Sequence, residues 1–260
     1  MALDLRPLTL TDILDRAARM YRGSFLSWLG VTAVLLVPQS IFVLAYMPSN
    51  SEMAGEPFSP SNVQRLVVVL LVAVLVVSIA QGAMAVMVAG HYLGRPVTLA
   101  EAYRRTISRL PSLLGGLSLT VLLVAVGLLL LIVPGVIFLF AFALVPAAIL
   151  MEGVGARQAV ARSWRLTRGD RGRVAAIGFV AAILQWVISF SVSVVAGLVW
   201  NGDTGKQIAD QIATLLVLPF TQACIVLLYF DNRVKKEGFD LQMLMASESA
   251  PAAPVAPAGS

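Results

Sequence analysis

The sequence predicts an all-α integral membrane protein with six transmembrane helices and three amphipathic interfacial helices on the cytoplasmic side. Seventeen of the nineteen Lys and Arg residues fall in four stretches, 1–24, 95–109, 157–173 and 233–236, separated by apolar runs long enough to cross a bilayer. Basic residues follow the cytoplasmic side of a membrane, so this alternation sets topology before any helix is assigned. The chain is also 58% apolar and only 13% charged, with a mean hydropathy of +0.87. That is too little charge to keep a globule of this size dispersed in water.

The elements follow in order. Residues 1–25 form a cytoplasmic amphipathic segment. Asp4, Asp12 and Asp15 precede the first apolar run, which is itself long enough to span, so no cleavable signal peptide is expected. Four runs qualify directly as spans, Leu26–Met47, Leu66–Leu93, Val174–Trp200 and Ile208–Phe230. The run Pro111–Met151 has 41 residues and no charge. As one helix it would measure about 60 Å, twice the ~30 Å hydrocarbon core. Proline removes a backbone donor and glycine permits a tight turn. Two spans, 111–132 and 136–151, are therefore expected, joined at Val133-Pro134-Gly135.

Both flanking loops of that pair are strongly basic and belong on one side, which requires an even number of crossings. Six spans satisfy this and place both termini in the cytoplasm. Pro48–Asn62, with Glu52 and Glu56, and the short Asn201–Gln207 connect spans on the far side. The membrane domain covers 26–240, and the Ala/Pro/Ser-rich tail 241–260 is expected to be disordered.

The segments TLTDILDRAARMY (9–21), TLAEAYRRTISRL (98–110) and GARQAVARSWRLT (155–167) align without gaps. Each has Asp12, Glu101 or Gln158 four residues ahead of Arg16, Arg105 or Arg162, and their apolar residues recur every three to four positions. Each precedes a pair of spans. The expected architecture is three parallel copies of a helix-plus-hairpin unit.

One cysteine (Cys224) and one histidine (His91) leave no disulfide framework and no Cys/His metal site within the chain. The span cores hold no Asp, Glu, Lys, Arg or His, so the converging ionisable groups of acid–base or metal catalysis are missing. No enzyme and no cofactor is expected. The basic residues are spread over loops rather than gathered on a soluble face, which argues against nucleic acid.

Three segments, LRPLTLTDILDRAARMYRGSF, ARQAVARSWRLTRGDRGRV and LLYFDNRVKKEGFDL, form a recognisable set. With Ser163 to Gly169, Tyr229-Phe230-Asp231, Arg233 and Glu237-Gly238-Phe239 as its most specific parts, the pattern resembles the bacterial membrane-domain family named after glycerophosphoryl diester phosphodiesterase. The likeness runs over residues 5–241. Some members of that family fuse this domain to a catalytic barrel that opens on a His-Arg-Gly motif. Here His91 is followed by Tyr92-Leu93, so the resemblance implies a membrane domain without that activity, in a bacterial cytoplasmic membrane.

Candidate contacts follow from this layout. Arg16, Arg105 and Arg162 share one repeat position and would either form a basic ring for anionic lipid headgroups or an acidic partner, or only enforce topology. Ser163 and Trp164 belong to an interface helix. Asp231 sits at a helix C-terminus, where a carboxylate is disfavoured, so either it pairs with a cation from among Arg16, Arg105, Arg162 and Arg233 or it is a solvated acid at the membrane boundary. Within the spans, Gln39, Gln81, Gln185, Ser189, Ser191, Ser193, Thr221 and Gln222 are polar. They either line a wet cavity or bond between helices at ~0.6–2 kcal/mol each. Gln185 and Ser189 stand at helical spacing. A cavity lined by Gln81, Gln185 and Gln222 would favour transport, and a packed bundle a scaffold. Pro38, Pro146 and Pro219 mark either tolerated kinks or broken helices. The leading expectation is a non-enzymatic scaffold or accessory domain that engages membrane lipid or a protein partner. The alternative is a transporter or lipid-handling channel. An enzyme survives only if a partner supplies the catalytic groups.

Overall fold

The computed structural model describes residues 8–47, 59–199 and 203–238. They form ten α-helices: α1 (Leu10–Gly23), α2 (Phe25–Tyr46), α3 (Pro60–Tyr92), α4 (Leu99–Ser108), α5 (Leu110–Leu130), α6 (Ile132–Ala141), α7 (Val145–Glu152), α8 (Ala156–Thr167), α9 (Arg171–Val199) and α10 (Asp203–Glu237). No strand occurs among the described residues. Six segments are long and apolar enough to cross a membrane: Phe25–Val43, Pro60–Tyr92, Leu110–Leu130, Ile132–Glu152, Arg171–Val195 and Ile208–Glu237. The fold is all-α and multi-pass. The tail 241–260 and most of the 48–62 connection lie outside the described residues.

The element order repeats three times. A short amphipathic helix (α1, α4, α8) precedes each long apolar pair, which is α2 with α3, then α5 with α6–α7, then α9 with α10. The first two short helices start where the sequence offers a cap. Thr9 Oγ1 accepts from the Asp12 N–H at 3.2 Å while Asp12 accepts from the Thr9 N–H at 2.9 Å, a complete capping box. Thr98 accepts from the Glu101 N–H at 3.3 Å, and the expected Glu101–Arg105 ion pair forms on α4. Ile13, Ala17, Ala102, Thr106 and Ala159 are fully buried. The apolar stripes therefore pack on protein, α1 on α10, α4 on α3, and α8 on α5 and α7.

α1 departs from a helix lying flat beneath the bundle. The Leu8 N–H meets Asp231, whereas the Tyr21 hydroxyl donates to the Leu216 carbonyl at 2.9 Å. Those two α10 positions are fifteen residues apart, about 22 Å along the helix. α1 thus climbs obliquely beside α10. The Tyr103 hydroxyl likewise reaches up from α4 to the Val31 carbonyl of α2. Burial raises both phenols above their ordinary value, which keeps each one a donor.

The central hairpin turns at Leu131, not at Val133-Pro134-Gly135. Leu131 is extended (φ −163°, ψ 144°), and Pro134 and Gly135 fall in the first turn of α6. A proline loses nothing there, because first-turn N–H groups have no helical acceptor, so the turn forms ahead of it. The fourth span is two helices rather than one. Pro146, in the first turn of α7, has no N–H to give and its ring would meet the Phe142 carbonyl, so the helix breaks across residues 142–144. Pro38 and Pro219 lie inside the continuous α2 and α10. Boundaries shift elsewhere: α3 starts at Pro60 and α9 at Arg171, and α10 takes in part of the connection expected at 201–207.

Burial concentrates at the end of the bundle that carries the four basic stretches. Trp28, Met84, Val88, Leu144, Ile149 and Tyr229 are fully covered there. Leu70, Leu71, Leu130, Ile132 and Val195, toward the other end, are 63–73% exposed, which leaves them to face lipid.

Candidate functional site

Two ion-pair networks close the basic end of the bundle. The first is built on Asp231, whose side chain is fully buried. Its Oδ1 accepts from the Leu8 N–H at 2.6 Å, and its Oδ2 accepts from Arg173 Nη1 at 2.6 Å and pairs with Lys235 Nζ at 2.9 Å. Arg173 and Lys235 also donate to the Leu8 carbonyl, at 2.8 and 3.2 Å. One carboxylate thus ties the N-terminal segment to α9 and α10. Asp231 is paired rather than solvated, and the expected partners are corrected: Arg173 and Lys235 pair with it, not Arg16, Arg105, Arg162 or Arg233. Lys235 stands one helical turn past Asp231, a spacing readable in the sequence. Arg173 is not.

The second network centres on Arg162. Its Nε donates to both Glu152 oxygens at 2.9 and 2.7 Å, its Nη2 donates to Glu237 Oε2 at 2.5 Å, and its Nη1 meets Glu237 Oε1. The Tyr229 hydroxyl donates to Glu152 Oε1 at 2.5 Å, and Arg233 Nε donates to Glu237 at 3.3 Å. The hydrogen bonds to Glu237, followed by the Glu152 carboxylate working against burial, hold Arg162 above its ordinary value. Arg162 is therefore spent on two carboxylates. Of the expected ring, Arg105 is exposed and Arg16 lies 6.0 Å from the Tyr92 ring centroid. The three arginines occupy unlike environments and form no common headgroup ring. Lys236 completes the base by donating to the carbonyls of Leu166 and Arg168, at 2.8 and 2.5 Å, where α8 ends.

Ser163 is corrected as a lipid or partner contact, because it is fully buried. Its hydroxyl donates to the Ala141 carbonyl at 2.7 Å and accepts from the Leu144 N–H at 3.2 Å. Thr167 Oγ1 lies 3.1 Å from the same carbonyl. These are the backbone groups that the α6–α7 break releases, and in hydrocarbon they have no water to turn to. Trp164 lies beside the break, its ring 5.8 Å from Phe138 and 6.0 Å from Phe142, with the Arg171 guanidinium 4.0 Å above it. Ser163→Ala leaves the Leu144 N–H without its acceptor, and a loss of about 1–3 kcal/mol is expected. Thermal unfolding in detergent checks it, with Ser163→Thr as the conservative control.

Above this base lies a cavity of about 630 Å³ between α3, α5, α6–α7, α9 and α10. It begins directly above the charged layer, at Val174 next to Arg173 and at Leu228 three residues before Asp231, and Val77, Leu113, Phe142 and Ile149 are among its walls. The lining includes no charged residue and four polar ones, Ser78, Gln81, Thr120 and Thr221. Of the expected polar residues, Gln81 and Thr221 reach the cavity, and Gln185, Ser189 and Gln222 do not. Gln185 instead donates to Thr214 Oγ1 at 3.3 Å, an interhelical bond between α9 and α10. Ser189 Oγ is buried without a partner among the described residues, and Gln222 is buried in the bundle. Sequence reading missed Thr120, Glu152 and Arg173 as site residues, and it named Thr167 and Glu237 only within the family resemblance. Glu152 carried a signal, as the acid that ends the 41-residue uncharged run.

Comparison with curated proteins found no match, and comparison with solved structures found none. A family model matches residues 59–232, from the residue before α3 to Asn232. That is more than half of the chain and includes every residue of the cavity wall, while α1, α2 and Lys235 to Glu237 lie outside it. The chain belongs to the family described as Domain of unknown function (DUF7847).

Proposed function

We propose that this protein is a non-enzymatic accessory domain of a bacterial cytoplasmic membrane, with both termini cytoplasmic, that engages membrane lipid by holding hydrocarbon in the cavity above its charged base. The cavity carries this reading. Its size lies within the ~300–1,000 Å³ usual for small-molecule sites, and its walls are largely apolar. It lies within membrane-spanning helices, where lipid chains are the most abundant occupant. The ionisable groups nearest to it support a non-catalytic role. Asp231, Arg173, Glu152, Arg162 and Glu237 are consumed by one another, and each joins separate helices rather than converging on open space. The gathering of the basic stretches at one end supports the orientation. The residues behind the resemblance to the glycerophosphoryl diester phosphodiesterase membrane domains, Ser163, Thr167, Tyr229, Asp231 and Glu237, hold the α6–α7 break and build both networks, which supports reading the chain as a membrane domain of that kind. A channel along Gln81, Gln185 and Gln222 finds less support, since only the first lines the cavity.

Native mass spectrometry of the purified protein tests the reading. Wild type is expected to retain lipid, and Ile225→Trp, which fills the cavity from α10, to lose it at an unchanged unfolding temperature. Equal retention by a folded Ile225→Trp protein would rule the cavity out as the lipid site.

A further inference from the structure

The four polar groups in the cavity wall are not equivalent. Ser78 Oγ donates to the Val74 carbonyl at 2.6 Å and Thr221 Oγ1 to the Val217 carbonyl at 3.0 Å, so each is satisfied by its own helix. Thr120 Oγ1 is buried with no hydrogen-bond partner among the described residues. Gln81 is half-buried, and no side-chain hydrogen bond ties its amide to the other described residues. A buried polar group left unpaired, as the Thr120 hydroxyl is, costs about 1–3 kcal/mol, and a membrane interior offers little water to relieve it or the open Gln81 amide. Each of these two side chains brings both donor and acceptor capacity. Gln81 lies eleven residues from the end of α3 at Tyr92, and Thr120 ten residues from the start of α5 at Leu110. Each is therefore about 15 Å along its helix from the charged base, deep within the spans.

We infer that the cavity is a site for an uncharged lipid that carries both a hydroxyl and an ester carbonyl, of the diacylglycerol type, with its polar group between Gln81 and Thr120. This rests on the cavity holding lipid, as proposed above, and adds which lipid. A hydroxyl and a carbonyl together can use the donor and acceptor capacity that the two side chains leave open. A phosphate at that depth would meet no cation, because the lining has none and Arg162 and Arg173 are paired below. Desolvating it there would be strongly unfavourable.

The test compares fluorescent diacylglycerol with phosphatidylglycerol of identical chains, titrated into the detergent-purified full-length protein. Wild type is expected to prefer diacylglycerol by about tenfold, the factor that corresponds to 1.4 kcal/mol. The Gln81→Leu/Thr120→Val variant is expected to lose that preference while its affinity for phosphatidylglycerol stays unchanged. It removes unpaired polar atoms, so its unfolding temperature should equal or exceed that of wild type. Equal affinity of wild type for the two lipids, or a preference that survives in the variant, overturns the inference and leaves the lipid cavity standing. No saturable binding of either lipid, together with equal lipid retention by Ile225→Trp, removes the cavity reading as well.

Discussion

Asp231→Ala is expected to lower stability by about 3–5 kcal/mol, among the largest effects of any single substitution in the chain. The side chain is fully buried, so its removal leaves Arg173 with only the looser Asp170 carboxylate at 3.7 Å, and the Leu8 N–H without an acceptor. Arg173 and Lys235 retain 18% and 28% side-chain exposure, so some of the uncompensated charge reaches solvent and the lower half of that range applies. Asp231→Asn keeps the shape and an acceptor for Leu8 but removes the charge, and about 1.5–3 kcal/mol is expected from the loss of charge-assisted bonds. Arg173→Ala should cost less than Asp231→Ala, because the buried carboxylate keeps Lys235 at 2.9 Å and the Leu8 N–H at 2.6 Å. The double variant should then be much less destabilised than the sum of the two, since each half of the pair costs most when left alone. Thermal unfolding of the four proteins in one detergent decides it. Additive losses would show that the two side chains act independently, and the N-terminal segment would need another anchor.

The same network shows what a sequence can and cannot carry. Six spans were readable because hydropathy and basic clustering are local and hold wherever the helices end up. The caps at Thr9 and Thr98 and the Glu101–Arg105 pair were readable for the same reason, as each depends on three or four adjacent positions. The demand of Asp231 for a cation was also local, arising from its place near a helix end. Arg173 as the answer was not, because it lies 58 positions away and depends on how α9 docks beside α10. Arg162 illustrates the reverse error. Its repeat position suggested a surface ring, yet the same position in three copies faces three different neighbours, and only α8 meets Glu152 and Glu237. Pro146 was legible as a proline inside a span. Whether the helix bends or breaks there turned on Ser163 and Thr167, nearly twenty residues away, which make the break affordable in hydrocarbon. Gln81 and Gln185 look alike in the sequence. Docking gives one a partner on the next helix and turns the other into a cavity.

Gly135→Leu is expected to disrupt the central hairpin. A Cβ at Gly135 would lie 2.4 Å from Leu128 Cγ and 2.6 Å from the Leu128 backbone nitrogen, and one at Gly127 would lie 2.9 Å from Gly135 Cα. The two arms touch backbone to backbone at this point. A side chain can move aside but a main chain cannot without parting the helices, so Gly135→Ala should already cost about 1–3 kcal/mol. Leucine should cost more and shift the apex of the hairpin. That apex is unusual for a connection between spans, because Leu129 to Val133 are all apolar and 68–87% exposed. α5 has 21 residues, about 31 Å of helix, against a hydrocarbon core of ~30 Å. An arm of that length, rising from Arg109 at the charged base and carrying no polar residue at its tip, ends at the far edge of the hydrocarbon rather than in water. In a protein with Cys224 replaced by alanine, a membrane-impermeant maleimide applied from the far side should label Ser59→Cys and leave Leu131→Cys unlabelled from either side. Adding Gly135→Leu should change the reactivity of Leu131→Cys and lower the unfolding temperature together. If Leu131→Cys reacts as fast as Ser59→Cys in the unaltered hairpin, the apex stands in water, and its five large apolar residues face something other than lipid.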